Sequence, residues 1–352
     1  MDSDTKKYII IAIFALCLTF TLISSILTPD MSNSIKTILK NTKNENNIDK
    51  NSTIQTSIDK EIQPLKKQGR GAVLIEQSSK RVLYDDGKDE RCYPASTTKV
   101  LTALCVLEHL PLDRIVTVPQ EAEGVEGSSI YLKAGQKISV EDLLYGLMLR
   151  SGNDSAVALA IETSGSIEKF AELMNRTAES AGAKSSHFVN PHGLHDDMHF
   201  TTAYDLALIC AKAYENPDFV KIVSTKQRKI VVDGEDRYIA NKNKLLSKYD
   251  GANGVKTGFT KKSGRCLVSG AQRGGMQLIG VVLNHYDMWN DTVRMLDFGF
   301  DNYYMCPLDE AMLTGGNIEI KVRVKQNATE DWQDLRYPLK KDGSERLVVE
   351  SR

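Results

Sequence analysis

Tyr93-Pro94-Ala95-Ser96-Thr97-Thr98-Lys99 leads without a break into Val100, Leu101, Ala103, Leu104, Val106 and Leu107. Apolar residues on every side of a helical period predict a helix buried all round rather than one lying on a surface. Its first turn carries a hydroxyl at Ser96 and an amine at Lys99, three residues apart and so on one helix face within side-chain reach. This places a nucleophile beside a candidate base at the centre of the molecule. Alone, the pair is weak, and a capped helix with a surface lysine is the better reading of it.

Upstream, Ala72 to Glu76 and Arg81 to Tyr84 are β-prone runs separated by Gln77-Ser78-Ser79-Lys80, which predicts a hairpin. Downstream, Ser139 with Asp142 and Thr202 with Asp205 have the spacing of helix N-caps, and an apolar helix resumes at Asp154. The stretch from about 97 to 215 is therefore expected to be mostly helical. Lys229 to Val232 and Arg237 to Ala240 flank the turn signal Asp233-Gly234-Glu235-Asp236. Val255 to Gly258, Cys266 to Ala271 and Met276 to Leu283 read as strands, and a helix from about Met288 to Phe300 closes the unit. Strands, then helices, then strands imply an α/β (α+β) fold, an antiparallel sheet built from both ends of the domain with a helical subdomain inserted. Beyond Cys306, alternating Ile318, Ile320, Val322 and Val324, with Leu347 to Val349 as partner, predict a short C-terminal β segment.

The chain of 352 residues is 41% hydrophobic, enough to fill a substantial core, and Lys+Arg 45 against Asp+Glu 46 leaves a net charge of -1. That balance speaks against a nucleic-acid partner. The six cysteines, at 17, 92, 105, 210, 266 and 306, contain no Cys-x-x-Cys pair and read as scattered apolar residues. His192, His195 and His199 cluster in sequence without a zinc-binding spacing, so neither metal nor cofactor is expected.

Lys6 and Lys7 precede an uncharged run from Tyr8 to Thr28, about the length of a bilayer-spanning helix. Residues 1–28 are expected to act as a membrane anchor or signal segment. The absence of an Ala-x-Ala-like cleavage site favours the anchor. Residues 29–70, rich in Asn, Lys, Ser, Thr and Gln, are expected to form a flexible linker. Residues 71–306 are then expected to form the main folded domain and 307–352 a C-terminal appendage.

Two further motifs stand beside Ser96-Thr97-Thr98-Lys99. Ser151-Gly152-Asn153 falls between two apolar helices, where a loop can present a hydroxyl and an amide to a cleft. Lys256-Thr257-Gly258 lies on a predicted strand, where glycine permits close approach and the Lys and Thr can bind a carboxylate. Each has a plain structural reading as an interhelical turn or a strand end; the three together, in helix, loop and strand contexts, do not.

From about Gly71 to Cys306 the chain resembles the serine-type D-alanyl-D-alanine carboxypeptidases, low-molecular-mass penicillin-binding proteins of peptidase family S11, in particular their Gram-positive sporulation and vegetative branch. Val125-Glu126-Gly127-Ser128-Ser129, Ser151-Gly152-Asn153-Asp154, Asn190-Pro191-His192-Gly193-Leu194 and Lys256-Thr257-Gly258-Phe259-Thr260 carry the resemblance together with the first motif. It implies the β-lactamase/DD-peptidase-like fold and a role in cell-wall biogenesis. It also implies catalysis by Ser96 as acyl-ester nucleophile, Lys99 as general base and Ser151 as proton relay, with Asn153 holding the substrate backbone. Lys256, Thr257 and Gly258 would bind the substrate, and the backbone N–H groups of Ser96 and Phe259 would form the oxyanion hole. Partners implied are peptidoglycan stem peptides, β-lactams as covalent inhibitors, and the cytoplasmic membrane, with the domain on its outer face or, alternatively, secreted. No Glu-x-x-Leu-Asn pattern of the class A β-lactamases is present, so rapid β-lactam hydrolysis is not expected. The alternatives are a β-lactamase, or a non-catalytic β-lactam sensor or wall-binding module. His192 is expected to fix its loop rather than act as a base.

Overall fold

The computed structural model describes residues 71–308, 310, 314–324 and 335–351; the expected anchor and linker lie outside them. The first hairpin forms as the pattern requires, β1 (Gly71–Glu76) against β2 (Val82–Asp86). Val73 and Ile75 face one apolar cluster while Ala72 and Leu74 face another, so β1 is buried on both sides. The chain then reaches Ser96 on a tight 3-10 turn, Ala95–Thr98, which feeds α1 (Lys99–His109). Every residue from Lys99 to Val106 is buried, the all-round burial that its apolar sequence dictates.

Two extended excursions interrupt what sequence suggested would be a mostly helical stretch. β3 (Ile115–Thr117) and β4 (Lys137–Ser139) pair with each other, and residues 181–202 run without a helix. Three-residue strands leave too little periodicity to register in the sequence. The helices of this stretch are α2 (Val140–Tyr145), α3 (Asn153–Ser164), α4 (Ile167–Ser180) and α5 (Ala203–Ala213). Both expected caps are present: Ser139 Oγ accepts from the Asp142 N–H, and Thr202 Oγ1 from the Asp205 N–H. A π-helical segment, Gly146–Arg150, continues α2 to Ser151, where the chain turns left-handed at φ 65°. An unforeseen helix, α6 (Pro217–Ser224), follows, with Asn216 capping the N–H groups of Asp218 and Phe219.

The next hairpin pairs β5 (Gln227–Val232) with β6 (Glu235–Ala240). Its turn is tighter than the four-residue signal suggests: Asp233 and Gly234 both take positive φ and close a two-residue loop, so Glu235 and Asp236 belong to β6. After α7 (Leu245–Lys248) come β7 (Ala252–Thr260), β8 (Gly264–Arg273) and β9 (Met276–Leu283). They complete a five-stranded antiparallel sheet of order β2-β1-β9-β8-β7, built from both ends of the domain as expected. β9 is buried along its whole length and β7 forms one edge. α8 (Met288–Asn302) covers one face, with Met295 and Leu296 packed among Leu74, Leu278 and Val282. The opposite face packs on the cluster that contains α1 and α5.

β10 (Tyr303–Pro307) crosses the expected boundary at 306 and pairs with β12 (Arg336–Lys340), while β11 (Ile318–Val324) lies parallel to β13 (Glu345–Ser351). Ile320 and Leu347 share one small apolar cluster, as their alternation predicts. This segment is fastened to the sheet through Arg81, whose buried guanidinium pairs with both carboxylate oxygens of Glu345.

Candidate active site

A cleft of about 410 Å³ runs along the exposed edge of β7 and is lined by Ser96, Ser151, Thr257, Gly258 and Phe259 among others. Segments far apart in sequence converge there because α1 is pinned beneath the edge strand. Gly258 shows how close the approach is: a Cβ there would lie 3.1 Å from Pro94 O and from the backbone nitrogens of Ser96 and Thr97. Any side chain would push the nucleophile's turn away from the strand. Gly193 supports the turn from the opposite side at φ +83°, where a Cβ would collide with Ala95 O at 1.9 Å.

Lys99 Nζ lies 3.1 Å from Ser96 Oγ and donates to Asn153 Oδ1 and to the backbone oxygen of His192, each at 2.7 Å. Burial holds the Lys99 amine well below its ordinary pKa, and the nearby Lys256 and Lys242 cations lower it further. A neutral amine has two N–H donors and one lone pair. Asn153 and His192 occupy the donors, which leaves the lone pair for the Ser96 hydroxyl.

Asn153 is itself fixed from two sides, its N–H donating to Ser128 O at 2.7 Å and its Nδ2 to Glu126 O at 2.6 Å. The neighbouring Asp154, buried at the start of α3, accepts from the N–H groups of Ile130 and Leu132 and from Ser129 Oγ. It ties the 128–132 loop to the helix that presents Asn153, a role no sequence motif assigned to it. Ser151 lines the cleft and is nearly buried; among the described residues no hydrogen bond joins its hydroxyl to Ser96 or Lys99.

Lys256 is buried on β7, donates to Thr257 O at 3.0 Å, and has its pKa brought down to about 7 by burial and by Lys242. Lys242, on the chain after β6, donates to Ser128 Oγ at 3.0 Å and completes a triangle of amines with Lys99 and Lys256. Sequence offered no signal for it, because only the folding of β6 beside the 128–132 loop brings it to the cleft. Lys244, Arg265, Met288 and Trp289 also line the cleft without having been foreseen.

His192 contributes its backbone oxygen to Lys99, while its ring Nδ1 accepts from the Leu194 N–H. Burial takes its pKa to about 3, with the charge of Lys99 adding to the shift. His199 contacts Thr98 Oγ1 through Nε2 at 2.8 Å and accepts from the Val189 N–H at Nδ1, so both ring nitrogens are engaged. Among the described residues no three His, Cys, Asp or Glu side chains gather as a metal site.

An antiparallel sheet whose edge strand faces a helix-borne serine and lysine is the architecture of the DD-peptidases of β-lactamase-like fold. The Streptomyces K15 DD-transpeptidase crystal structure superposes with a TM-score of 0.63 at 33% identity, covering 66% of this chain and 97% of that one. The D-alanyl-D-alanine carboxypeptidase of Mycobacterium tuberculosis gives a TM-score of 0.64 at 30% identity, over 66% and 91%. A family model described as D-alanyl-D-alanine carboxypeptidase matches residues 58–287, and the chain belongs to that family. Carboxypeptidase DacF of Bacillus subtilis is 34% identical over 72% of this chain and 68% of its own length. DacC of Escherichia coli is 35% identical over 66% of this chain and 61% of its own. The chain thus spans about two thirds of these two relatives.

Proposed function

We propose that this chain removes the terminal D-alanine from peptidoglycan pentapeptides through an acyl-enzyme on Ser96. The observation that carries the reading is the buried Lys99 amine, its pKa lowered well below the ordinary value by burial and by Lys256, its Nζ on Asn153 Oδ1 and His192 O and 3.1 Å from Ser96 Oγ. In this scheme Lys99 takes the serine proton as Oγ attacks the carbonyl between the two D-alanines. The backbone N–H groups of Ser96 and Phe259 stabilise the oxyanion that forms. Ser151 relays a proton to the departing amine, Asn153 holds the substrate backbone, and Lys256 with Thr257 engages the terminal carboxylate. Water then releases the shortened peptide and restores Ser96. Mass spectrometry of a pentapeptide incubated with the protein tests this: loss of one D-alanine supports it, and an unchanged peptide rejects it.

The two lysines titrate in opposite senses for catalysis. Lys99 works as the neutral amine, so kcat/KM is expected to fall as pH drops through its lowered pKa. Lys256 serves the carboxylate as a cation, so activity should decline above about pH 7. The result is a bell-shaped profile whose alkaline limb disappears for a substrate with its C-terminal carboxylate amidated. An alkaline limb of equal size for both substrates would remove Lys256 from the carboxylate subsite.

We further propose that the domain works on the outer face of the cytoplasmic membrane, held by the segment from Tyr8 to Thr28. The support is the sequence of that segment and the extracytoplasmic location of peptidoglycan. Among the described residues no helix is long and apolar enough to cross a membrane. Fractionation with N-terminal sequencing is expected to find the intact chain in membranes. A mature chain beginning after about residue 28 and free in the medium would contradict the anchor.

A further inference from the structure

β7 is the edge strand of the five-stranded sheet, and its free edge faces the cleft. An extended peptide can pair with such an edge as an added strand. With the terminal carboxylate at Lys256 and Thr257 and the reacting carbonyl at the Phe259 N–H, the substrate runs antiparallel to β7. Its upstream residues then continue toward the turn between β7 and β8. This direction rests on the function proposed above.

Phe259 and Arg265 are direct cross-strand partners, so their side chains stand on the same face of the sheet, and both line the cleft. Phe259 is 65% exposed, and the Arg265 guanidinium lies 6.0 Å from its ring centre. Among the described residues no carboxylate forms an ion pair with Arg265. Lys261 and Lys262 in the adjoining turn are also exposed and add positive charge beside this end of the cleft. At about 3.3 Å per residue, the stem residue preceding the acylated D-alanine projects its side chain within ~7 Å of the reacting carbonyl, the span over which Arg265 reaches.

We propose that Arg265, seated against Phe259, is a specificity-determining residue that selects stem peptides whose third residue ends in a free carboxylate. A diamino diacid satisfies this requirement; a simple diamine or an amidated diacid does not. The guanidinium accepts no proton and presents a planar fork of N–H donors to such a carboxylate.

The test compares a diaminopimelyl-D-Ala-D-Ala peptide with the same peptide amidated at the distal carboxylate of its diaminopimelyl residue, using the full-length chain in detergent. The wild type is expected to favour the acid by about tenfold in kcat/KM, the size of one charge-assisted hydrogen bond in a part-exposed setting. The preference should appear in KM and shrink with added salt. Arg265→Gln should bring the ratio to about one by weakening the acid peptide alone, and Arg265→Lys should retain part of the preference. Equal loss on both peptides in Arg265→Gln, or a wild type indifferent to amidation, would overturn the assignment. Release of D-alanine from neither peptide by the wild type would instead refute the carboxypeptidase reading, and this inference with it.

Discussion

Ser96→Ala is expected to abolish both D-alanine release and covalent labelling by a fluorescent penicillin. The loss in kcat should be on the order of 10⁴-fold or more, since removal of a nucleophile leaves only binding and oxyanion stabilisation. Ser151, the other serine hydroxyl placed near the reacting centre by the motifs, is not hydrogen-bonded to Lys99 among the described residues and cannot take over with the same base. The change removes one oxygen from a half-buried side chain, so the fold should survive it. In the wild type the penicillin adduct should persist after free drug is removed, because the residual half of the antibiotic stays tethered beside the ester. Intact-mass measurement after a brief pulse reads both outcomes. A labelled Ser96→Ala protein would move the nucleophile elsewhere, and an adduct vanishing within seconds would indicate β-lactam turnover.

Lys99→Met should leave the chain folded while slowing acylation about 10³-fold, within the range for loss of a general base. Methionine occupies similar volume, although Asn153 Oδ1 and His192 O lose a donor, at a cost of roughly 1–3 kcal/mol each if they stay dry. A compensating gain comes from linkage. The folded chain holds Lys99 below its unfolded pKa, so between the two values unfolding takes up protons and this site's contribution to stability rises with pH. Removing the lysine removes that dependence. Stopped-flow acylation by penicillin, paired with thermal melts at two pH values, separates the chemical loss from any structural one. Near-normal acylation at neutral pH would exclude Lys99 as the base.

Legibility of the fold tracked the strength of local pattern. The run Met276 to Leu283 announces a strand because it is apolar but for Gln277, and β9 is buried on both faces. α1 was equally plain. The helix Pro217–Ser224 was overlooked although Asn216-Pro217 is a cap followed by a residue suited to a helix's first position. Its eight residues fall between the stretch to about 215 expected to be helical and the strand expected from Lys229, and two turns show little periodicity. β3 and β4 were silent for a different reason: three residues cannot display alternation, and their pairing is decided by what folds around them.

The site divides along the same line. Ser96, Lys99, Ser151, Asn153, Lys256, Thr257, Gly258 and Phe259 could be nominated because each lies in a compact motif. Their convergence depends on contacts that no motif contains, such as Gly258 against the Ser96 turn. Lys242 and Arg265 sit outside every motif, and only tertiary packing turns them toward the cleft. Asp154 adjoins Asn153 in sequence, yet its function as an anchor for the 128–132 loop appears only in its hydrogen bonds.

The π-helical segment Gly146–Arg150 has a consequence for how this region tolerates insertion and deletion. A π turn accommodates one residue more than an α turn over the same rise. Shortening the segment by a single residue would let it relax to α geometry over nearly the same rise, so the following chain would keep close to its place relative to α2. Lengthening it by one residue has no such slack to draw on, since the segment is already π, and would carry Ser151 and Asn153 out of the cleft together even if every side chain named above were kept. This helix therefore tolerates a change of length in one direction only.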